Sequence, residues 1–315
     1  ATTGQNSLLS SNGGNVAISG TLTLNGDTVL TTAGNSGSED VNVGGAINSN
    51  TSSFSLSANA GANGDVIFGG DIGLGVGSGQ VALSSLTASG ATIQLANVRT
   101  IGGQSYASSN ATTLNGNIQA TGTGTVVFSG PLRLSQSGST SIATQNGSVQ
   151  FGTVDAANSA TASGLNVSVG GSGNQVTFVG IVGGAQALSA LTSSGSTRLQ
   201  GGSLTTTGPP PYGSLPLASS AGSTTNLFAS GYTCTGPVSG SGQTLNLDFV
   251  SANGIADFQS TVGASGALQR LVVGGNTNNR NFGDTATTRI GGNMTFANGA
   301  DVRGTSVLTN PPTLQ

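Results

Sequence analysis

The sequence predicts an all-β chain wound as a parallel β-solenoid, an elongated rod of stacked coils. Three observations predict it: a phrase that recurs with variation, short alternating stretches punctuated by turn residues, and a surface composition almost without charge. Repetition on a scale of tens of residues marks stacked units, each unable to bury its apolar face alone.

The phrase is clearest at residues 176–191, where Phe178, Val182, Gly183, Ala187, Leu188 and Leu191 form the skeleton. Residues 256–271 repeat it as Phe258, Val262, Gly263, Ala267, Leu268 and Leu271 with the same internal spacing. A looser copy runs through Val66, Phe68 and Ile72, then after a glycine-rich insertion Ala82, Leu83 and Leu86. Its opening recurs at Val126–Leu132 and Val149–Val154.

The strands follow in order as Val16–Ile18, Leu22–Leu24, Phe54–Leu56, Val66–Phe68, Leu132–Leu134, Val167–Val169 and Leu245–Leu247. Each places apolar side chains on one face and Ser, Thr, Asn or Arg on the other. Asn-Gly pairs at 25–26, 63–64, 115–116, 146–147, 253–254 and 298–299 supply corners, read as positions of positive φ. Ala185–Thr192 hints at helical periodicity but is too short to stand as a helix. A sandwich would use larger aromatics, and the chain has no Trp and only Tyr106, Tyr212 and Tyr232. Coils of roughly 24 residues stacked at ~4.8 Å give about 13 coils and a rod on the order of 60 Å.

Thr205–Gly242 breaks the rhythm with Pro209, Pro210, Pro211, Pro216 and Pro237. Proline cannot donate to a sheet ladder. The expected division is therefore a solenoid over 1–207, a Pro/Gly/Ser-rich loop or excursion over 208–242, a solenoid continuation over 243–304 and an extended tail over 305–315.

Only 5% of residues are charged, against the usual quarter, and the seven basic residues are all Arg. With a net charge of −3 there is no basic track for nucleic acid and no polybasic membrane anchor. No apolar run reaches the ~20 residues of a membrane span. The start at Ala1-Thr2-Thr3 suits a processed, secreted chain, and a secreted location is expected. Cys234 reads as a small apolar filler, since no His is present to activate it.

The V-x-F…V-G-x-x-x-A-L-x-x-L phrase, set in Gly/Ser/Thr/Asn-rich sequence without Lys or Trp, resembles the repeat regions of large bacterial exoproteins. These are the filamentous-haemagglutinin-like and autotransporter-passenger proteins, and the resemblance spans roughly residues 60–300. It implies a right-handed β-helix on the cell surface. The first sixty residues hold no two-partner secretion domain, the C-terminus no membrane-barrel pattern, and no Arg-Gly-Asp occurs.

Candidate sites are few. Gly73–Gly79 has the glycines of a phosphate loop but no following helix and no ribose-binding acid, so it reads as a corner. Gly170–Val176 has the outline of a calcium nonapeptide with Gln175 where the acid belongs, and reads as a turn. Glu39, Asp40 and Asp27 read as solvated acids before they read as a cation site. Asp248 and Asp257, with Arg270 and Arg280, form the nearest approach to an acid–base set, and nothing in the sequence places them together. No cofactor and no metal is expected.

The leading expectation is a non-catalytic structural protein forming an extracellular fibre or sheath by head-to-tail self-assembly, since heterologous end contacts generate open filaments. Val16, Ile18, Leu22, Leu24, Val307 and Leu308 are the expected assembly residues. The alternative is a surface adhesin whose Tyr212, Phe228 and Tyr232 contact host or matrix glycans from the proline-rich excursion. A polysaccharide-active enzyme stands third.

Overall fold

The computed structural model describes residues 2–3, 6–32, 39–75, 79–158, 163–218, 220–250, 253–274 and 287–308. The chain is all-β, a parallel β-solenoid of about ten turns with no helix among the described residues. It divides into two compact units, Ala1–Gly152 with Ser168–Asn174, and Thr153–Val167 with Gln175–Gln315.

In the first unit, Val16–Ile18, Val41–Val43 and Val66–Phe68 stack in parallel, with Val16 on Val41 on Val66 and Ile18 on Val43 on Phe68. Alternation sends these residues inward and Ala17, Asn42 and Ile67 to the other face. A second wall runs through Ser7–Ser11, Thr28–Thr32, Ser55–Asn59, Ser85–Leu95, Gln104–Leu114, Val126–Phe128 and Val149–Phe151. Its interior row reads Leu9, Leu30, Ala58, Ala88, Tyr106, Phe128, Phe151. Side chains in one row must share the coil spacing, so the aromatic rings stack. Tyr106 and Phe128 have centroids 4.9 Å apart, and Phe128 and Phe151 are 5.6 Å apart with planes within 6°.

The second unit repeats the design. Leu204, Leu227, Leu247, Val273 and Val302 form one row, and Tyr212, Cys234, Phe258, Ile290 and Leu308 another. The proline-rich stretch is therefore part of the stack. Pro211–Pro216 is a strand paired in parallel with Tyr232–Cys234 and with Val238–Ser239. Proline lacks a donor but keeps its carbonyl. Pro237 accepts from Leu215 N–H at 2.9 Å, and Pro211 and Pro216 sit at the two ends of their strand. Thr305–Leu308, expected to begin a tail, pairs with Thr287–Ile290, and Asn310-Pro311-Pro312 lies outside the described residues.

Coil length varies about the expected 24 residues, with 18 from Ala88 to Tyr106, 25 from Val16 to Val41 and 32 from Phe258 to Ile290.

The recurrent phrase is one complete corner. Phe178 ends a strand, Val182 turns the wall, Gly183 reverses the chain, Leu188 refills the interior and Leu191 starts the next strand. Gly183 and Gly263 hold φ of +67° and +79°, and Gly73, in the looser copy, +71°. A Cβ at any of the three would lie 2.0–2.2 Å from a carbonyl oxygen of the adjoining coil, so glycine is required twice over. The Asn-Gly corners at 63–64, 115–116 and 146–147 work differently from the expectation. Their glycines are not in the positive-φ region, but a Cβ at Gly64 or Gly147 would sit 2.1 or 2.0 Å from a backbone oxygen. What those corners need is room for the neighbouring coil.

Candidate functional site

The first coil presents a face that is open at two of its strands and met at the third, Leu22–Leu24, where Thr2 bridges Thr23 in parallel and Thr3 N–H is donated to the Thr23 carbonyl at 3.0 Å. Among the described residues, Ser7–Ser11 pairs only with Thr28–Thr32, and Val16–Ile18 only with Val41–Val43. Neither strand carries a charge. Leu8 is 65% exposed and rests beside Val29, 39% exposed, on the next coil. Edges of sheets are normally blunted by charge, proline or bulges, and this one has none of these.

The expected assembly residues divide accordingly. Val16, Leu22 and Leu24 are buried within their own coil, because alternation turns them inward, and Ile18 is half-buried. The backbone of Val16–Ile18 can still meet a partner, whereas the edge of Leu22–Leu24 is already met by Thr2–Thr3. Val307 is 40% exposed, and the side chain of Leu308 lies outside what the structure describes.

A glycine column marks the open face more sharply. Gly20, Gly45 and Gly70 occupy one corner of three successive coils, each between an inward-facing strand and the apolar residue that follows. A Cβ on Gly45 would lie 2.6 Å from Gly20 C and Thr21 N, and one on Gly70 would lie 2.6 Å from Gly45 C and Ala46 N. Each Cβ position therefore points at the preceding coil. The same position on Gly20 meets nothing within 4 Å.

Asp40 and Asp27, read from the sequence as solvated acids, join Asp65, Asp71 and Asp155 as staples between coils. Asn15 Oδ1 accepts Asp40 N–H at 2.8 Å, Asp40 Oδ1 accepts Asp65 N–H at 2.9 Å, and Asp65 Oδ1 accepts Thr92 N–H at 2.9 Å. Asp71 accepts from Asn97, Asn97 from Asn117 and Asn117 from Ser141 in a second ladder. Asp155 does the same for Ala185 and Gln186. Such bonds occupy corner donors that the sheet ladder leaves unpaired. The signal was present as Asn or Asp immediately before Val16, Val41 and Val66 at constant spacing.

Asp27 belongs to this set and has a testable titration. Ser55 donates its N–H to Asp27 Oδ1 at 2.8 Å, and this backbone bond, with the Ser55 side chain, holds the carboxyl below its ordinary value. A depressed pKa in the folded chain contributes stability fully above the unfolded pKa of about 3.9, and that contribution disappears as pH falls through the lower folded value. Asp27→Asn keeps an acceptor and removes the titration. Melting temperature measured from pH 5 down to pH 2.5 should therefore fall more for the unsubstituted chain than for Asp27→Asn; parallel curves contradict the assignment.

The expected ligand contacts lie inside. Tyr212 and Tyr232 are 1% and 2% exposed, and Phe228 is half-buried. Tyr232 donates its hydroxyl to the Leu227 and Asp248 carbonyls. Burial pushes both phenols well above their ordinary value and the Cys234 thiol up to about 12, so all three are neutral interior groups.

Asp248 and Asp257 are not assembled with Arg270. Asp248 is buried with Oδ1 accepting Phe249 N–H at 2.9 Å, Asp257 accepts from the Gln259 amide, and Arg270 pairs with Asp301 at 3.3 Å. Arg280, and Val76–Ser78 of the glycine-rich loop, lie outside the described residues. Asn174 donates to the Gly170 carbonyl, which makes Gly170–Val176 a closed turn. Among the described residues no three His, Cys, Asp or Glu side chains gather as metal ligands.

Comparison with family models, with curated proteins and with solved structures finds no match to this chain. What the structure shares with the exoprotein repeats is the parallel β-solenoid itself.

Proposed function

We propose that the chain is a secreted, non-catalytic structural protein whose β-solenoid builds an extracellular fibre or sheath, with a coil of a second copy stacking on the open first coil. The observation that carries this reading is the vacant side of Gly20. The first coil repeats the corner of the second and third, down to the glycine that admits a preceding coil, and among the described residues only Thr2–Thr3, over Leu22–Leu24, lies on that side. The uncharged backbone edges of Ser7–Ser11 and Val16–Ile18 supply hydrogen-bond ladders, and exposed Leu8 supplies apolar area. Burial of Tyr212 and Tyr232 removes the main contacts on which the adhesin alternative relied.

The test is negative-stain electron microscopy over a concentration series, for the unsubstituted chain and for Gly20→Val. A side chain at position 20 meets nothing in the monomer, so the variant should melt as the parent does. The parent should form filaments of constant width, and the variant should remain as single particles. A parent that never polymerises, or a variant that polymerises as readily, overturns the proposal.

A further inference from the structure

The second unit carries a groove of about 450 Å³ on its exterior, which none of the features above uses. Four successive coils build its floor. Arg198 follows Thr177, Leu217 follows Leu199 one coil on, and Ser239 follows Pro216. Gln175 and Ser241 stand around it, and Gln243, buried with its Oε1 accepting Ser241 N–H, shapes the wall behind them. At ~4.8 Å per coil the floor runs about 14 Å along the stacking direction.

Three properties define what fits. Arg198 is half-buried in the groove and makes no ion pair among the described residues, and no lining residue is acidic. In a chain of net charge −3 this is a local site for an anion. A guanidinium presents a planar fork that matches a carboxylate with two parallel hydrogen bonds. Second, serine hydroxyls and glutamine amides both donate and accept, as sugar hydroxyls do. Half-buried Pro216 adds an apolar patch on which the C–H face of a sugar ring can lie. Third, the floor strands are already paired on both sides. Leu191–Leu199 lies between Gln175–Phe178 and Pro211–Pro216, which in turn pairs with Val238–Ser239. No free edge remains on which a peptide could add as a strand.

We propose that this groove binds an acidic polysaccharide, with Arg198 holding the carboxylate of one uronate unit and the serine and Gln175 side chains its hydroxyls. The site extends the structural reading without resting on it, because none of its residues belongs to the open face of the first coil.

Titration calorimetry of the intact chain with tetragalacturonate tests it, with the methyl-esterified tetrasaccharide and an Asp-rich peptide as comparison ligands. Binding should be weakened at least tenfold by Arg198→Gln and less by Arg198→Lys, which keeps charge but loses the fork. Arg133→Gln, on an exposed position of the first unit, should leave it unchanged, as should Gly20→Val. The methyl ester should lose the same factor, and added salt should weaken the acidic ligand alone. No binding at millimolar sugar, equal affinity for the ester, affinity unchanged in Arg198→Gln, or preference for the acidic peptide each overturns the proposal.

Discussion

Replacing Phe128 with alanine should destabilise the first unit by about 3–5 kcal/mol, the usual cost of deleting a fully buried ring. Phe128 is 0% exposed and sits between two rings, 4.9 Å from Tyr106 and 5.6 Å from Phe151. A coil cannot collapse to fill the gap, because its height is fixed by hydrogen bonds to the coils on either side. Gln104 and Val126 are in register two residue positions away, and their backbones hold the strands apart. Tyr106 adds a polar consequence, since its hydroxyl donates to Gln104 Oε1 at 2.7 Å, and Gln104 in turn donates to Thr100 and to the Gln119 carbonyl. A tilted Tyr106 would strain that buried network. Phe128→Leu should cost distinctly less than Phe128→Ala. Urea unfolding followed through tyrosine fluorescence checks both; a loss below about 1 kcal/mol for alanine would contradict the ring stack.

Gly70→Ala should cost about 2–3 kcal/mol, as overpacking against an element that cannot move. The new methyl would lie 2.6 Å from Ala46 N and Gly45 C and 2.8 Å from Gly45 O, all backbone atoms, so a whole coil corner must shift. Gly45→Ala meets Gly20 and Thr21 in the same way and should behave alike. Gly20→Ala should be nearly neutral in the same assay, because its Cβ meets only open space. A helix or strand propensity argument would treat the three alanines equally. Only a stack whose coils touch at this corner separates them. Equal melting temperatures for Gly20→Ala and Gly70→Ala would refute the column.

Much of the fold is legible because a solenoid is periodic in both sequence and space. Val16-Ala17-Ile18 and Val66-Ile67-Phe68 announce inward and outward faces, and the phrase around Val182 and Val262 returns as the same corner with the same left-handed glycine. The site was less legible, because its determinants are relations between coils. Asp40 and Asp65 look isolated along the chain, yet at a spacing of 25 residues they stand directly over one another. Tyr212 and Tyr232 looked like ligands because prolines flank them, but the prolines occupy strand ends and the alternation carries the rings inward. Gly20 is one of 54 glycines, and what sets it apart is open space at a corner where its equivalents Gly45 and Gly70 touch the preceding coil. Arg198 gained its neighbours in the groove from Pro216, Ser239 and Gln243, which lie 18 to 45 residues away along the chain.

Hydrogen exchange at single-residue resolution, below and above the concentration at which large species form, tests stacking on the first coil most directly. Backbone N–H groups point alternately to the two sides of a strand. Ser7 N–H is donated to Asp27 O and Val16 N–H to Asp40 O, both on the next coil, so the N–H groups of Leu8, Ser10 and Ala17 face the open side. Assembly by an incoming coil predicts that these three amides become protected while those of Ser7 and Val16, already bonded, hardly change. Large species in which Leu8, Ser10 and Ala17 continue to exchange as they do in the monomer would contradict the account.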